Sequence, residues 1–191
     1  MMPMKKKLVL IAIAITGILV LAGLVLTTDP RAHNAGIIGP EIEISITGSV
    51  YHNLTLTGGE LGTRTFVTVT SELICVGGGN GGASFGTHNW TGVRLSDLLG
   101  EAGVQASAVK VGFHASDGYT TDLTLKDAAR QDVIVAFEKD GAPLKEKTRL
   151  VVPGKWGYKW ISGIDQIVLY DFDFMGTSET NGYSDDATIG A

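Results

Sequence analysis

The chain has 191 residues, of which 44% are hydrophobic and 18% are charged, and its formal net charge is −5. Nucleic-acid-binding domains carry a basic face that pairs with phosphates, so this acidic balance disfavours a nucleic-acid partner. The single cysteine excludes an internal disulfide and leaves a free thiol to be explained.

The N-terminal region predicts a membrane anchor. Lys5, Lys6 and Lys7 precede an uncharged run of 19 residues at positions 8–26. As a helix this run would be about 28 Å long, close to the thickness of the hydrocarbon core of a bilayer. The lysines predict a cytoplasmic N-terminus, and hence an uncleaved single-pass anchor at 1–28 with the rest of the chain on the extracytoplasmic side of the cell membrane. The alternative is a cleavable signal peptide, whose apolar core is normally shorter.

The remainder predicts one α+β domain at 41–183, after a linker at 29–40 and before a loose acidic tail at 184–191. About 160 residues are enough for one domain with a sizeable core. Alternating or β-branched segments predict strands at 41–48, 54–57, 63–70, 109–114, 133–138, 149–153 and 161–170. A turn followed by a helix that Ser96 caps and Gly100 or Gly103 ends is predicted at 90–99, and a second helix at 123–130.

The only cysteine lies where a predicted strand runs into a glycine-rich loop. Cys75 is followed by glycines at 77, 78, 79, 81 and 82. Glycine permits positive φ and lets backbone N–H groups approach a bulky ligand, and a thiolate is a soft metal ligand. The alternative is that Cys75 is a small buried apolar residue and that the loop is only a loop.

A second segment, RLVVPGKWGYKW at 149–160, concentrates basic and aromatic residues. Arg149, Lys155 and Lys159 surround a Pro-Gly turn and two tryptophans in an otherwise acidic chain. This combination suits a flat, anionic ligand. The alternative is a solvated strand end whose tryptophans fill the core.

Four segments together carry a family resemblance. ELICVG at 72–77, WTGVRLSDLL at 90–99, SDGY at 116–119 and the basic segment at 149–160 resemble, in order and spacing, the sulfite-oxidase-like molybdopterin-binding oxidoreductase domain. The resemblance covers roughly residues 42–183. It implies that family's fold of mixed β-sheets with short helices and a molybdenum–molybdopterin cofactor.

The resemblance also implies roles for individual residues. Cys75 matches the cysteine that ligates molybdenum, and Asp117 and Tyr119 match a turn beside the metal, where they are candidate catalytic residues. The residues expected to bind the cofactor, besides Cys75, are Gly77, Thr87, His88, Ser116, Arg149, Lys155, Gly157, Tyr158 and Lys159. Three histidines, His52, His88 and His114, lack metal-ligand spacing with Cys75, so a zinc or copper site is not expected.

Two features of the sequence depart from sulfite oxidases proper. Gly78, Gly79 and Asn80 stand where those enzymes carry arginines that bind the anionic substrate, and the N-terminus has no twin-arginine pair. The missing arginines disfavour sulfite as the small substrate. The alternative is a non-catalytic, membrane-tethered binding module that keeps the fold without the metal. A quinone or a small cytochrome is the expected redox partner, and a monomer the expected state.

Overall fold

The computed structural model describes residues 38–77 and 82–190, which form two five-stranded β-sheets with short helices. The strands are β1 (Glu43–Gly48), β2 (Leu54–Thr57), β3 (Val67–Cys75), β4 (Ala83–Arg94), β5 (Lys110–Ala115), β6 (Thr120–Thr124), β7 (Ile134–Lys139), β8 (Ala142–Pro143), β9 (Arg149–Val151) and β10 (Ile164–Tyr170). The helices are α1 (Gly58–Gly62), α2 (Leu95–Ala102), α3 (Leu125–Ala128), α4 (Thr177–Thr180) and a 3-10 helix, η1 (Gly157–Lys159). The expected mixture of β-sheets and short helices is confirmed.

The first sheet has the strand order β2-β1-β10-β5-β6. β1 pairs in parallel with β10, and the other pairs are antiparallel. Ile44 and Ile46 alternate with polar residues in β1 and are fully buried, as a half-buried strand requires. Phe113 of β5 is buried beside them in the same hydrophobic core.

The second sheet has the order β3-β4-β7-β8, with β9 also paired to β7. β3 and β4 form a long antiparallel pair in which Cys75 lies opposite Ala83. β3 extends to Cys75 rather than ending near residue 70, because residues 71–75 also pair with β4.

The turn predicted at the start of residues 90–99 is wrong, because β4 runs through it as far as Arg94. Trp90 is buried, and residues 90–94 pair with β7. Gly92, which suggested a turn, instead permits close packing of the two strands: a Cβ there would lie 2.0 Å from the Val135 carbonyl oxygen.

The helix boundaries also differ from those predicted. The N-cap of α2 is Arg94, without a side-chain cap, rather than Ser96, whereas Gly103 ends the helix with φ of +69° as expected. The helix predicted at 123–130 begins at Leu125, because Thr120–Thr124 pairs with β5 as β6. Thr124 accepts a hydrogen bond from the Asp127 N–H and so caps α3.

The C-terminal residues contact the domain and are not the loose tail that we predicted. Ala187 is buried, and its carbonyl oxygen accepts a 2.8 Å hydrogen bond from the Trp156 N–H. Lys155 and Thr188 form a β-bridge, and the Ile189 N–H donates to the Gly154 carbonyl oxygen.

Part of the N-terminal prediction cannot be compared with the structure. Over residues 38–77 and 82–190, no helix is both long and apolar enough to cross a bilayer. The predicted anchor at 1–28 and all of the linker except its last residues lie outside the described residues, as do Gly78, Gly79 and Asn80.

Candidate functional site

Cys75 lies at the end of β3 and its side chain is partly exposed. Gly157, the first residue of η1, faces it. A Cβ at position 157 would lie 2.5 Å from Cys75 Sγ and 3.1 Å from the Ile74 carbonyl oxygen. The missing side chain therefore leaves the room that the thiol occupies.

Two loop glycines next to Cys75 adopt conformations that favour glycine. Gly77 has φ of +116°, with no atom of the described residues within 4 Å of a Cβ placed there, and Gly82 has φ of +74°. A Cβ at Gly82 would lie 2.5 Å from the Trp156 ring and 2.8 Å from the Cys75 carbonyl oxygen. The backbone flanking the cysteine thus packs directly on the segment that carries Gly157.

η1 joins the two sheets at this point, because it contacts both β3 and β6. Tyr119, just before β6, donates a 2.8 Å hydrogen bond to the Tyr158 carbonyl oxygen and lies 2.9 Å from Ser178 Oγ. Burial raises the pKa of Tyr119, the hydrogen bond with Ser178 offsets part of this rise, and electrostatic interactions with nearby Glu179 and Cys75 raise the pKa further. The Tyr119 phenol is therefore held neutral near the cysteine.

Asp117 shapes the turn that presents Tyr119. Its carboxylate accepts a 2.9 Å hydrogen bond from the Tyr119 N–H, and Gly118 between them has φ of +87°. This places Asp117 in a positioning role.

A cavity of about 450 Å³, lined by aromatic and basic side chains, opens between β3, β4 and the residues around β8; we call it the Trp90 pocket. Leu73 connects this pocket with the surroundings of Cys75, since it lines the pocket and its Cδ1 would lie 3.2 Å from a Cβ at Gly157. The Arg149 guanidinium lies 6.0 Å and the Lys139 ammonium 5.9 Å from the centre of the Trp90 ring. The remaining lining residues are Phe85, His88, Ala142, Pro143, Leu144, Lys145 and Glu146.

His88 is held in the Trp90 pocket at both of its ring nitrogens. Its Nδ1 lies 2.6 Å from Asp140 Oδ2, and its Nε2 lies 2.9 Å from the Phe85 carbonyl oxygen. These two contacts fix the orientation of the ring. Hydrogen bonding by the Asn89 N–H, and then by His88, lowers the pKa of Asp140 and keeps the opposing carboxylate ionised.

Lys155 and Lys159 differ from our expectation, because both are buried in ion pairs. Lys159 is 1% exposed, with its Nζ 2.6 Å from Glu179 and 3.2 Å from Asp122, which are also buried. Lys155 Nζ lies 2.7 Å from Asp186 and 3.2 Å from Asp127. Neither ammonium is open to a further anion.

A third buried lysine joins this group. Lys110 Nζ lies 3.0 Å from Asp122 Oδ1 and 2.7 Å from Asp185 Oδ2. Burial lowers the pKa of Lys110, but the hydrogen bonds to Asp185 and Asp122 outweigh it and raise the pKa overall. We refer to Lys110, Lys155 and Lys159 as the lysine cluster.

Other predicted cofactor residues are spread around these features. Thr87 pairs with Glu72 in the β3–β4 ladder. Ser116 lines a separate groove of about 670 Å³ beside Thr148 and Gln166, whose lining does not include Cys75. The Tyr158 hydroxyl donates a 2.6 Å hydrogen bond to the carbonyl oxygen of Ser184.

The histidines and Cys75 do not converge. Within the described ranges, no group of three or more His, Cys, Asp and Glu side chains is placed to hold a metal ion. His114 Nε2 instead lies 3.0 Å from the Tyr170 hydroxyl, away from His88 and its partner Asp140.

Comparison with known proteins identifies the family. A family model described as the oxidoreductase molybdopterin-binding domain matches residues 35–178. The chain belongs to this family. The resemblance inferred from the four sequence segments is thereby confirmed, and the chain is a molybdopterin-binding oxidoreductase domain of the sulfite-oxidase-like type.

Three similar proteins show what share of a relative's length this chain matches. It is 32% identical over 101 residues to the uncharacterized oxidoreductase YuiH of Bacillus subtilis, a match that covers 49% of this chain and 50% of YuiH. It is 32% identical over 116 residues to the mitochondrial sulfite oxidase of Drosophila melanogaster, covering 54% of this chain and 20% of that protein. The crystal structure of the sulfane dehydrogenase SoxCD from Paracoccus pantotrophus superimposes with a TM-score of 0.62 at 25% identity, covering 70% of this chain and 39% of that one. The chain therefore spans half or less of the length of these relatives.

The molybdopterin cofactor of this family fits Cys75 and the Trp90 pocket better than it fits Lys155 and Lys159. Cys75 offers a partly exposed thiol that faces the bare backbone of Gly157. The nearby Trp90 pocket offers the exposed Phe85 ring and the basic side chains of Lys139, Lys145 and Arg149, of which Arg149 is already ion-paired with Glu146 at 2.8 Å. Lys155 and Lys159 do not fit a phosphate as they stand, because carboxylates already neutralise them. No local sequence pattern indicates this pairing, because Asp122 and Glu179 lie 37 and 20 positions from Lys159 along the chain.

Proposed function

We propose that this chain is a molybdenum-cofactor oxidoreductase that carries out two-electron oxygen-atom transfer on a small molecule. The observation that carries the proposal is the Cys75 thiol, which lies at a strand end, faces the bare backbone of Gly157 and adjoins the Trp90 pocket through Leu73. Membership of the molybdopterin-binding oxidoreductase family supports it.

In this proposal, the chain's own residues bind and orient. Cys75 provides the protein's thiolate ligand, a soft donor that suits molybdenum. Arg149, with Lys139 and Lys145, provides positive charge for the cofactor's anionic group in the Trp90 pocket, which His88 also lines, and the exposed Phe85 ring provides an aromatic face for its ring system. When bound, the cofactor supplies the oxygen-transfer chemistry itself.

Tyr119 would orient the substrate. Its raised pKa keeps the phenol protonated at neutral pH, so it can donate a hydrogen bond to a substrate oxygen beside Cys75. In the structure that proton is donated to the Tyr158 carbonyl oxygen, so the substrate oxygen would compete with a backbone acceptor. Asp117 would hold the turn in place.

The wider setting also belongs to the proposal. The lysines and the apolar run at 8–26 favour a single-pass membrane anchor, with the domain on the extracytoplasmic side. A quinone or a small cytochrome would then exchange electrons with the domain, which we propose acts as a monomer.

A second candidate function is a tethered binding module that keeps the fold without the metal. The neutralised state of Lys155 and Lys159 favours it, since two residues expected to hold the cofactor are engaged elsewhere.

Metal analysis of the protein purified from its native host separates the two functions. The oxidoreductase proposal predicts about one molybdenum per chain, because one cofactor serves one domain. The control is the same protein from cells that cannot make molybdopterin, which should contain none. Metal-free protein from the native host, grown with ample molybdate, would favour the binding module.

A further inference from the structure

The C-terminal residues after the family match bring acidic side chains to the lysine cluster. The match ends at residue 178, and we call residues 179–190 the C-terminal strap. From this strap, Glu179 contacts Lys159, Asp185 contacts Lys110 and Lys159, and Asp186 contacts Lys155. The strap is fixed to the domain by backbone bonds, including the one from the Trp156 N–H to the Ala187 carbonyl oxygen.

The C-terminal strap changes the charge balance of the lysine cluster. Before the strap is counted, the three lysines are matched by three carboxylates among their ion-pair partners, those of Asp122, Asp127 and Asp173. The strap adds Glu179, Asp185 and Asp186, which leaves a formal excess of three negative charges in the described ion pairs. Arg130, which also contacts Asp127, brings its own partner, Asp132, and leaves this balance unchanged.

This negative charge acts close to Cys75. Tyr158 follows Gly157, whose backbone faces Cys75 Sγ, and its hydroxyl bonds to the strap at Ser184. Burial, and then the charges of Glu179, Asp185 and Asp186, raise the pKa of Tyr158 to about 12. Tyr119, which bonds to the Tyr158 carbonyl oxygen, also experiences the Glu179 charge.

We propose that the C-terminal strap makes the Tyr119 side of the Cys75 site repel anions, so that the substrate is a neutral or cationic small molecule and not an oxyanion. The statement about the substrate rests on the proposed function, whereas the repulsion of anions from Cys75 does not depend on it. Fixed charges of one sign at a cleft lower the local concentration of ligands of the same sign. The basic side chains of the Trp90 pocket belong to a separate cavity, whose lining includes neither Tyr119 nor any strap residue, and they suit the anionic cofactor.

Alkylation of Cys75 measures this repulsion directly, because Cys75 is the only cysteine in the chain. In the full-length protein prepared without cofactor, iodoacetamide and iodoacetate react in the same way: the thiolate sulfur bonds to the reagent's methylene carbon and iodide leaves. The reagents differ in charge, because iodoacetamide is neutral and iodoacetate carries a charge of −1. We expect the ratio of iodoacetate to iodoacetamide rates to be about two- to threefold below that of free cysteine at low salt, and to approach it as salt screens the charges.

The strap variant Asp185→Asn/Asp186→Asn should raise this ratio, whereas Asp97→Asn should leave it unchanged. Asp97→Asn also removes a negative charge, but at a distant place. Cys75 pairs with the first residue of β4, whereas Asp97 follows the last residue of β4, roughly 30 Å or more away. Any loosening of the strap would change the rates of both reagents and cancel in the ratio, and circular dichroism checks folding.

Two results would overturn the proposal: a ratio in the unmodified protein equal to or above that of free cysteine, or the same ratio in the strap variant. Neither depends on molybdenum, so a metal-free protein that still repels iodoacetate would refute only the proposed function. A molybdenum-containing protein without repulsion would refute only this inference.

Discussion

At position 157, a single hydrogen atom in place of a side chain decides whether the Cys75 thiol has room. A Cβ there would meet Cys75 Sγ at 2.5 Å and Leu73 Cδ1 at 3.2 Å, inside the ordinary contact distance for both. Gly157 has no positive φ, so its role is space and not backbone conformation.

Gly157→Ala should therefore displace Cys75 and slow its alkylation by iodoacetamide, with a loss of about 1–3 kcal/mol in the free energy of unfolding from overpacking. Urea unfolding and the alkylation rate measure the two effects. The matched control is Gly100→Ala, where a Cβ meets nothing within 4 Å in the helix α2; it should gain about 0.5–1 kcal/mol and leave alkylation unchanged. Equal alkylation rates for Gly157→Ala and the unmodified protein would contradict this account of the thiol.

At the level of elements, the segment from Pro153 through η1 connects the two sheets, and the C-terminal strap covers it. Its basic residues are predicted to face a ligand. The structure instead pairs Lys159 with the buried carboxylates of Asp122 and Glu179. It pairs the buried Lys155 ammonium with the more exposed carboxylates of Asp127 and Asp186. A buried ammonium between carboxylates is costly to disrupt, because removing it leaves uncompensated charge in the interior.

Lys159→Met should accordingly lower the free energy of unfolding by about 3–5 kcal/mol. Asp122 keeps Lys110 as a partner, so Glu179 is the carboxylate left unpaired. Lys159→Met/Glu179→Gln should recover part of the loss, and urea unfolding of both variants measures it. If Lys159→Met kept its full stability but lost its molybdenum, Lys159 would be a cofactor ligand instead.

The elements also show what sequence patterns could predict. Alternation predicted β1 correctly, and the glycine at 103 predicted the end of α2, because both signals are local. The continuation of β4 past Gly92 depends on the close approach of β7, about 43 residues later in the chain, which no local pattern contains.

The residues of the candidate site could likewise be predicted only in part. The family resemblance predicts Cys75 and Tyr119, which both lie against the η1 residues Gly157 and Tyr158. It also predicts Arg149, which lines the Trp90 pocket. The acidic partners of the lysine cluster could not be predicted, because ion pairs between distant segments leave no periodic signal. The tail was recognised as acidic, but its contacts follow from the tertiary fold.

On the scale of the whole molecule, the site lies where the two sheets meet. One sheet brings Cys75 at the end of β3, the other brings Tyr119 at the start of β6, and η1 contacts both. The charges around it are divided, with cations in the Trp90 pocket and excess carboxylates at the strap. This division would let one small domain hold an anionic cofactor and admit a neutral substrate.

The central claim is that the sulfur of Cys75 bonds to molybdenum, and X-ray absorption at the molybdenum edge of the unmodified protein and of Cys75→Ser tests it most directly. Serine keeps the side-chain size, so we expect the same fold by near-ultraviolet circular dichroism, loss of turnover, and either no bound molybdenum or a metal with one sulfur neighbour fewer. A folded Cys75→Ser protein with the same molybdenum content, sulfur neighbours and turnover as the unmodified chain would contradict the claim.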